Sequence, residues 1–247
     1  MKRTKICVNS TLALLLAIVT ITSCKKENLS KSPVAPENTA SVTPVEDHLT
    51  ITPERQKVID FFNKNKNARG EASGAVAAAS YRSFTINYSG SVPNDIKALV
   101  NGEIDQLYNT SITSTTKSHM TGAPINVYSS PGSGDLFYTN GNVYIVNFAT
   151  YRSVHTGPGN VIFHELFHYL HDHWVSGGFN NSTIYNLYSN AYYAGIYPSS
   201  AYVLSNQAEY LAVSSEANYC NTNRPPYNSA TLGSLDPNCK SYLTSNF

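Results

Sequence analysis

Charged side chains are scarce in this chain of 247 residues, where they make up 13% of the composition, about half the usual share. The two signs nearly balance, with 17 basic and 16 acidic residues and a formal net charge of +1. This balance excludes a nucleic-acid-binding protein, which needs a basic excess, and a disordered polyelectrolyte. The chain also lacks heptads, internal repeats and a glycine-rich phosphate loop. Its 41% apolar content indicates a globular domain, which we expect to be a monomer.

The chain also lacks an apolar run of the roughly 20 residues that a membrane-spanning helix needs. Its apolar run from Leu12 to Ile21 is about half that length, and it follows Lys2, Arg3 and Lys5. A basic start, a short apolar run and small residues at its end are typical of a signal peptide. We therefore expect residues 1–23 to be removed during export.

Cysteine is rare, and the position of one cysteine is informative. Ile21, Thr22 and Ser23 lead into Cys24, and this run resembles the bacterial lipobox, whose cysteine is acylated with palmitate. A plain signal peptide with an incidental cysteine is the alternative. We expect a lipoprotein anchored to a bacterial membrane, on its periplasmic face or at the cell surface. Residues 24–52 are rich in Lys, Ser, Pro and Thr, which predicts a lipidated, disordered tether before a domain at 53–247.

Of the four cysteines, Cys220 and Cys239 remain after Cys7 in the signal peptide and Cys24 at its end. In an oxidising compartment we expect these two to form a disulfide, with two buried free thiols as the alternative. The segment between them is rich in Pro and Asn, and we expect little regular structure there.

The periodicity of apolar residues predicts strands and helices in an order that indicates an α+β domain. A small mixed sheet with helices would form the N-terminal part, and helices would form the C-terminal part. Asn140-Gly141 predicts a tight hairpin turn. The expected helices are 53–67, 93–108, 160–173, 182–196 and 206–218, and the expected strands are 81–89, 125–128, 136–139 and 143–148.

The strongest chemical signal is the run from His164 through Glu165 to His168, within a strongly apolar helix. Residues four apart on a helix differ by about 40° around the axis and about 6 Å along it, so both imidazoles can bind one ion. Glu165 lies beside that face, where its carboxylate can take a proton from a water that the metal activates. This donor set predicts one Zn²⁺ ion. His171 lies about 10 Å along the axis from His164, and we expect it to contact a ligand, line the rim or lie on the surface.

A catalytic zinc site needs a third protein ligand. The metzincin pattern is excluded, because His171 and Trp174 stand where it has glycine and histidine. Glu209 is the better candidate, in the first turn of a helix for which Asn206 is a good N-cap. Stabilisation of the helix end by an acidic residue is the alternative reading of Glu209. Two histidines on one helix and a glutamate from a later one define the gluzincin class of zinc peptidases.

The segment 155–218 resembles a narrower family. The spacing from His168 to Glu209, the run from Asn206 to Ala212 and Tyr202 seven residues before the glutamate are similar to the catalytic domain of anthrax lethal factor and the related Pro-Pro endopeptidases. The resemblance implies a zincin-like fold.

The resemblance also implies a role for each matching residue. His164, His168 and Glu209 would bind the zinc ion. Glu165 would be the general base, and Tyr202 would donate a hydrogen bond to the oxyanion.

The chain departs from that family at Val213, where the pattern has a second glutamate that orients a ligand histidine. Glu216 lies on nearly the same helical face and is the obvious substitute. A different register, with Glu216 itself as the third ligand, stays open at this point.

These patterns lead to two hypotheses about function. The first is a zinc endopeptidase that hydrolyses exported peptides or proteins, with the substrate extended along the strand Val143–Phe148 as a sheet edge. The second is a surface lipoprotein that binds or adheres and carries a degenerate, non-catalytic metallopeptidase fold. Val213 and the Tyr-, Asn- and Ser-rich composition support the second hypothesis.

Overall fold

The protein is described here by a computed structural model, which covers residues 50–65, 76–128 and 136–247. The expected signal peptide, Cys24 and the expected tether up to residue 49 lie outside the described residues. Among the described residues, none of the helices combines the length and the apolar character that a membrane-spanning helix needs.

Five strands and nine α-helices form the described parts of the chain, and the α+β class predicted from the sequence is confirmed. In chain order they are α1 (Pro53–Asn65), β1 (Val76–Tyr81), β2 (Phe84–Ser89), α2 (Asn94–Tyr108), α3 (Ser114–Met120), β3 (Ile125–Tyr128), β4 (Leu136–Thr139), β5 (Asn142–Ile145), α4 (Phe148–Val154), α5 (Val161–His173), α6 (Ser182–Tyr193), α7 (Gln207–Tyr219), α8 (Ser229–Leu235) and α9 (Pro237–Asn246).

The five strands form one mixed sheet in the order β1-β2-β3-β5-β4. The outer pairs are antiparallel, whereas β3 lies parallel to both β2 and β5. Asn140 and Gly141 both have positive φ in the turn between β4 and β5, as the sequence predicts. Most of the single strand expected over 81–89 is β2, but its first residues instead form the end of β1 and the turn at Arg82 and Ser83 that joins the two strands.

The sheet order corrects one expectation about the substrate. The strand Val143–Phe148 was expected to be a sheet edge, but its regular part, β5, pairs with β3 on one side and β4 on the other. It is therefore an interior strand. The outer strand on that side of the sheet is β4, which packs directly on α5.

Alternate side chains of the sheet enter two different cores. Val143 and Ile145 of β5 join the main core with α2 and α5, whereas Tyr144 between them packs with Phe62 of α1 on the opposite face. The alternation of strand side chains therefore sorts them between two helical layers. As a result, α5 is held between the sheet and the C-terminal helices.

The segment between the two cysteines is more regular than expected, since it contains α8 and the first two residues of α9. Asn228 caps α8 by accepting from the amide of Thr231, and Asp236 caps α9 by accepting from the amide of Cys239. Leu232 and Leu243 are fully buried, so both helices pack into the main core. The expectation of an irregular tail was wrong.

Cys220 and Cys239 are both buried free thiols, so the expected disulfide is not present in the structure. The Cys239 thiol lies beside Tyr210 and Ser214 of α7, while Cys220 caps the C-terminus of the same helix. Burial raises the pKa of both thiols, that of Cys239 to about 12.

Candidate active site

Helix α5 carries three of the candidate residues into the interior of the domain. Its N-cap is Asn160, whose Oδ1 accepts a hydrogen bond of 2.8 Å from the amide of Phe163. His164, Glu165 and His168 are 3%, 2% and 0% exposed, because α5 is covered by the sheet and by α7. Burying such polar side chains costs free energy unless they form ion pairs or hydrogen bonds or bind a metal. The groups around them therefore indicate what these side chains do.

Helix α7 brings Glu209 to the same place. Asn206 caps this helix, as predicted, and its Oδ1 accepts from the amides of Ala208 at 2.8 Å and Glu209 at 2.9 Å. The Glu209 carboxylate therefore lies in the first turn, where the helix dipole favours negative charge. Because α7 packs along α5, this carboxylate points at the two histidines.

The three candidate ligands meet closely enough to hold one metal ion. Oε2 of Glu209 lies 3.1 Å from Nε2 of His164, and its Oε1 lies 3.4 Å from Nε2 of His168. One ligand atom from each residue lies within 4.8 Å of the other two. Ligands at about 2.0–2.1 Å from a tetrahedral zinc ion would be about 3.3 Å apart, so the two contacts to Glu209 fit such a site.

The candidate ligand atoms of His164, His168 and Glu209 face one another, but not all of them form hydrogen bonds. Neither nitrogen of the His168 ring has a hydrogen-bond partner among the described residues. Burial alone lowers the pKa of His164, but its bonds to Glu209 and Glu216 outweigh burial and raise the pKa to about 10. Burial favours neutral Glu209, yet His168 and His164 hold the pKa of that carboxyl well below its usual range. A buried group of this kind could hold a metal ion.

Glu216 lies on the other side of the His164 ring from Glu209. Its Oε2 lies 3.6 Å from Nδ1 of His164, and its Oε1 accepts the amide of Asn160 at 2.9 Å. Arg224 donates to Oε2 at 3.2 Å, and with the His164 bond it lowers the pKa of Glu216 although burial opposes this. Of the two glutamates left open by the sequence, Glu209 is therefore the one that faces both histidines.

The approach of Glu216 depends on a glycine in the preceding loop. Gly159 has φ +153°, and a Cβ at this position would lie 3.0 Å from Oε1 of Glu216. Any larger side chain would press on the carboxylate that contacts His164.

Tyr202 lies beside this group on a short 3-10 helix, Tyr202–Leu204, just before α7. Its ring centroid is 6.3 Å from that of His164, and the Arg224 guanidinium lies 4.8 Å over its ring. Burial raises the pKa of Tyr202, and the charges of Glu209 and Glu165 raise it further. The hydroxyl therefore keeps its proton at neutral pH and can donate a hydrogen bond.

His171 is fully buried, so a surface role for it is wrong. Its ring packs edge-on against Phe179 at 5.0 Å, and neither ring nitrogen has a hydrogen-bond partner in the described part of the chain. Burial, and then the nearby charge of His168, lowers the pKa of His171 to about 4. It is a neutral, interior neighbour of the candidate site.

Two residues at this site were not singled out from the sequence. Arg224 follows α7 in an irregular loop, and nothing in its sequence context indicates its contact with Glu216. Glu103 of α2 reaches the first turn of α5. Its sequence does carry a signal, because it stands seven residues after Ile96 and four before Leu107, on the apolar stripe of an otherwise ordinary helix.

No family model matches the chain, and no curated protein matches it. Among solved structures, the chain is similar to a Pro-Pro endopeptidase from Paenibacillus alvei, with 14% sequence identity and a TM-score of 0.46. The match covers 66% of this chain and 97% of that one. A similarity this low assigns no activity to the chain, and its chemistry is indicated by the side chains of the site.

Proposed function

We propose that the chain is a zinc-dependent endopeptidase of the gluzincin type, with Glu165 as its general base. The observation that carries this proposal is the buried group of His164, His168 and Glu209, whose ligand atoms lie within 4.8 Å of one another. Two imidazoles and one carboxylate are a donor set that suits catalytic zinc, which keeps a fourth position for water. Bound zinc would supply Lewis acidity, which activates water and polarises a peptide carbonyl at neutral pH.

Glu165 is the residue that moves protons in this proposal. It follows His164 on α5 and is buried, and its charge contributes to the raised pKa of both His164 and Tyr202. Its carboxylate would take a proton from the attacking water and pass it to the leaving amine. The burial of Glu165 beside the ligands keeps bulk water away from this transfer.

Tyr202 and Glu216 both lie near His164 and would have different roles. Tyr202 would donate its hydroxyl proton in a hydrogen bond to the carbonyl oxygen as that oxygen gains negative charge. Glu216 would accept from Nδ1 of His164, which leaves Nε2 of the same ring directed toward Glu209. This hydrogen bond would keep the His164 ring from rotating away from the ion.

We place the substrate along β4 rather than β5. β4 is the outer strand of the described sheet on this side, and Tyr138 in it lies 6.4 Å from the His168 ring, centroid to centroid. An extended peptide can add to a sheet edge through its main chain. Substrate peptides that are N-methylated at alternate residues should lose activity in one register only. Equal activity in both registers would refute pairing with β4.

A Glu165→Gln variant tests the mechanism, with exposed Glu54→Gln as the matched control. We expect Glu165→Gln to retain zinc, measured by metal analysis, and to lose about 10²–10⁴-fold in hydrolysis of a peptide library. Wild-type activity in this variant, or a wild-type protein without zinc, would refute the proposal. Zinc binding without any cleavage by the wild-type protein would instead support the alternative of a non-catalytic binding module.

We further propose that the enzyme is exported and anchored through Cys24. The support is in the sequence: a basic start, a short apolar run and the lipobox-like Ile21-Thr22-Ser23-Cys24. Palmitate should label the wild-type protein and the Cys7→Ala control, whereas Cys24→Ala should be unlabelled and leave the membrane fraction. Membrane retention of unlabelled Cys24→Ala would contradict a lipid anchor.

A further inference from the structure

The carboxylate of Glu103 lies at the N-terminus of α5, although Glu103 belongs to α2. Its Oε1 accepts a hydrogen bond of 2.7 Å from the amide of Val161, and its Oε2 accepts one of 3.1 Å from the amide of Ile162. The Tyr151 hydroxyl donates to Oε2 at 2.8 Å, and Nε2 of His155 lies 3.0 Å from Oε1. Glu103 is only 4% exposed. Each oxygen of this buried carboxylate thus faces two nitrogen or hydroxyl groups.

This arrangement does more than cap a helix. Asn160 already caps α5 through the amide of Phe163. Glu103 takes the two amides before that one, which have no partner inside the helix, and its negative charge is favoured by the helix dipole. The side-chain amide of Asn160 also donates to the carbonyl of Glu103 at 2.8 Å. The first turn of α5 is therefore attached to α2 by hydrogen bonds from three consecutive residues.

The same turn is attached to α7 on its other side. The amide of Asn160 donates to Oε1 of Glu216, and Oε2 of Glu216 lies beside Nδ1 of His164. His164 follows Val161 by three residues, about 4.5 Å along the axis. A small displacement of the first turn would therefore displace His164 by nearly the same amount.

We propose that Glu103 is a positioning residue, which sets the depth and rotation of α5 so that His164 and His168 meet Glu209. Contacts of 3.1 and 3.4 Å from Glu209 to the two rings tolerate little displacement of α5. Glu103 touches neither the ligands nor the place of the reacting groups, so it acts through the helix. The identity of the metal in this inference rests on the proposed function. The positioning of α5 by Glu103 does not depend on that function.

Glu103→Gln tests the inference, because it keeps the side-chain shape and turns one acceptor oxygen into an NH₂ donor. Asp105→Asn is the control, since Asp105 lies on the same helix but pairs with Arg82 at the surface. We expect Glu103→Gln to bind zinc roughly 10–100-fold more weakly in competition with a chelator, within the range found when support for a metal ligand is lost. Asp105→Asn should bind zinc like the wild type.

Amide hydrogen exchange in the zinc-free proteins separates positioning from general destabilisation. In Glu103→Gln the amides of residues 161–164 should exchange faster, while those of residues 211–213 in α7 stay at the wild-type rate. Tyr151→Phe removes one hydrogen bond and keeps the carboxylate, so it should show the same pattern to a smaller degree. This milder variant decides the matter if Glu103→Gln does not fold.

Two results would overturn the inference. One is wild-type zinc affinity together with wild-type exchange in both variants. The other is exchange that rises equally in α5 and α7, which would show a loss of stability alone. A wild-type protein that binds no zinc would refute the proposed function, whereas the exchange measurements would still uphold or refute the hold of Glu103 on α5.

Discussion

Glu216 lies 3.6 Å from His164, with its Oε2 facing Nδ1 of the ring on the side away from Glu209. Val213 stands where the sequence resemblance leads us to expect a second glutamate, and it is fully buried in the main core. The carboxylate of Glu216, three residues further along α7, is the one that reaches Nδ1 of the His164 ring. This contact leads to the first prediction.

Glu216→Gln should weaken zinc binding by about 10–100-fold. The neutral side-chain amide of Gln would form a weaker hydrogen bond to the His164 ring and would not favour the tautomer whose Nδ1 carries the proton. Zinc affinity is measured by competition with a chelator, and exposed Glu54→Gln serves as the control. Unchanged affinity would mean that His164 needs no support from this side.

Tyr202→Phe should lower kcat by about 10²–10³-fold, the usual loss when one hydrogen-bond donor to an oxyanion is removed. Zinc content and KM should change little, because the hydroxyl would act mainly in the transition state. Steady-state kinetics on a cleaved library peptide give both constants. Tyr193→Phe, at an exposed tyrosine of α6, should behave like the wild type, and an equal fall in both variants would contradict the role of Tyr202.

The pKa of His155 should lie above the ordinary value of about 6.5, since Glu103 outweighs the opposing effect of burial. Protonated His155 then stabilises the fold. This stabilisation is complete below the pKa of the unfolded chain and is lost as pH rises through the higher pKa of the folded protein. An NMR titration of the ring should show the raised pKa and a lower one in Glu103→Gln. The same pKa in both proteins would exclude Glu103 as its cause.

Cys220 and Cys239 should both be alkylated in denatured protein that has never been reduced. In the native protein neither should react quickly, because burial shields the thiols and raises the pKa of each. Mass spectrometry of the peptides reports both results. A disulfide-linked peptide pair would show that the thiols are oxidised in the natural compartment.

Local patterns predicted the parts of the fold that local interactions build. The N-cap of α7 at Asn206 and the turn at Asn140-Gly141 depend on neighbours a few residues away, and both are found as predicted. The separation of His164 and His168 follows in the same way from helical geometry. These residues could be placed near one another without knowledge of the rest of the molecule.

Long-range pairing decides what the sequence could not reveal. β5 has the same composition whether it lies at an edge or inside, and only its pairing with both β3 and β4 makes it interior. α8 and α9 are short and poor in charge, and burial of Leu232 and Leu243 against the main core stabilises them. Glu103 stands 58 residues before Val161, so its hydrogen bond to that amide leaves no local trace.

The candidate ligands come from two helices, His164 and His168 from α5 and Glu209 from α7. An ion bound by all three would be a non-covalent cross-link between distant parts of a chain whose described cysteines form none. Thermal resistance would then depend on the free zinc concentration, by mass action. A chelator in the surroundings would then both stop the proposed activity and leave the chain open to digestion by proteases, so the metal supply would set its lifetime as well as that activity.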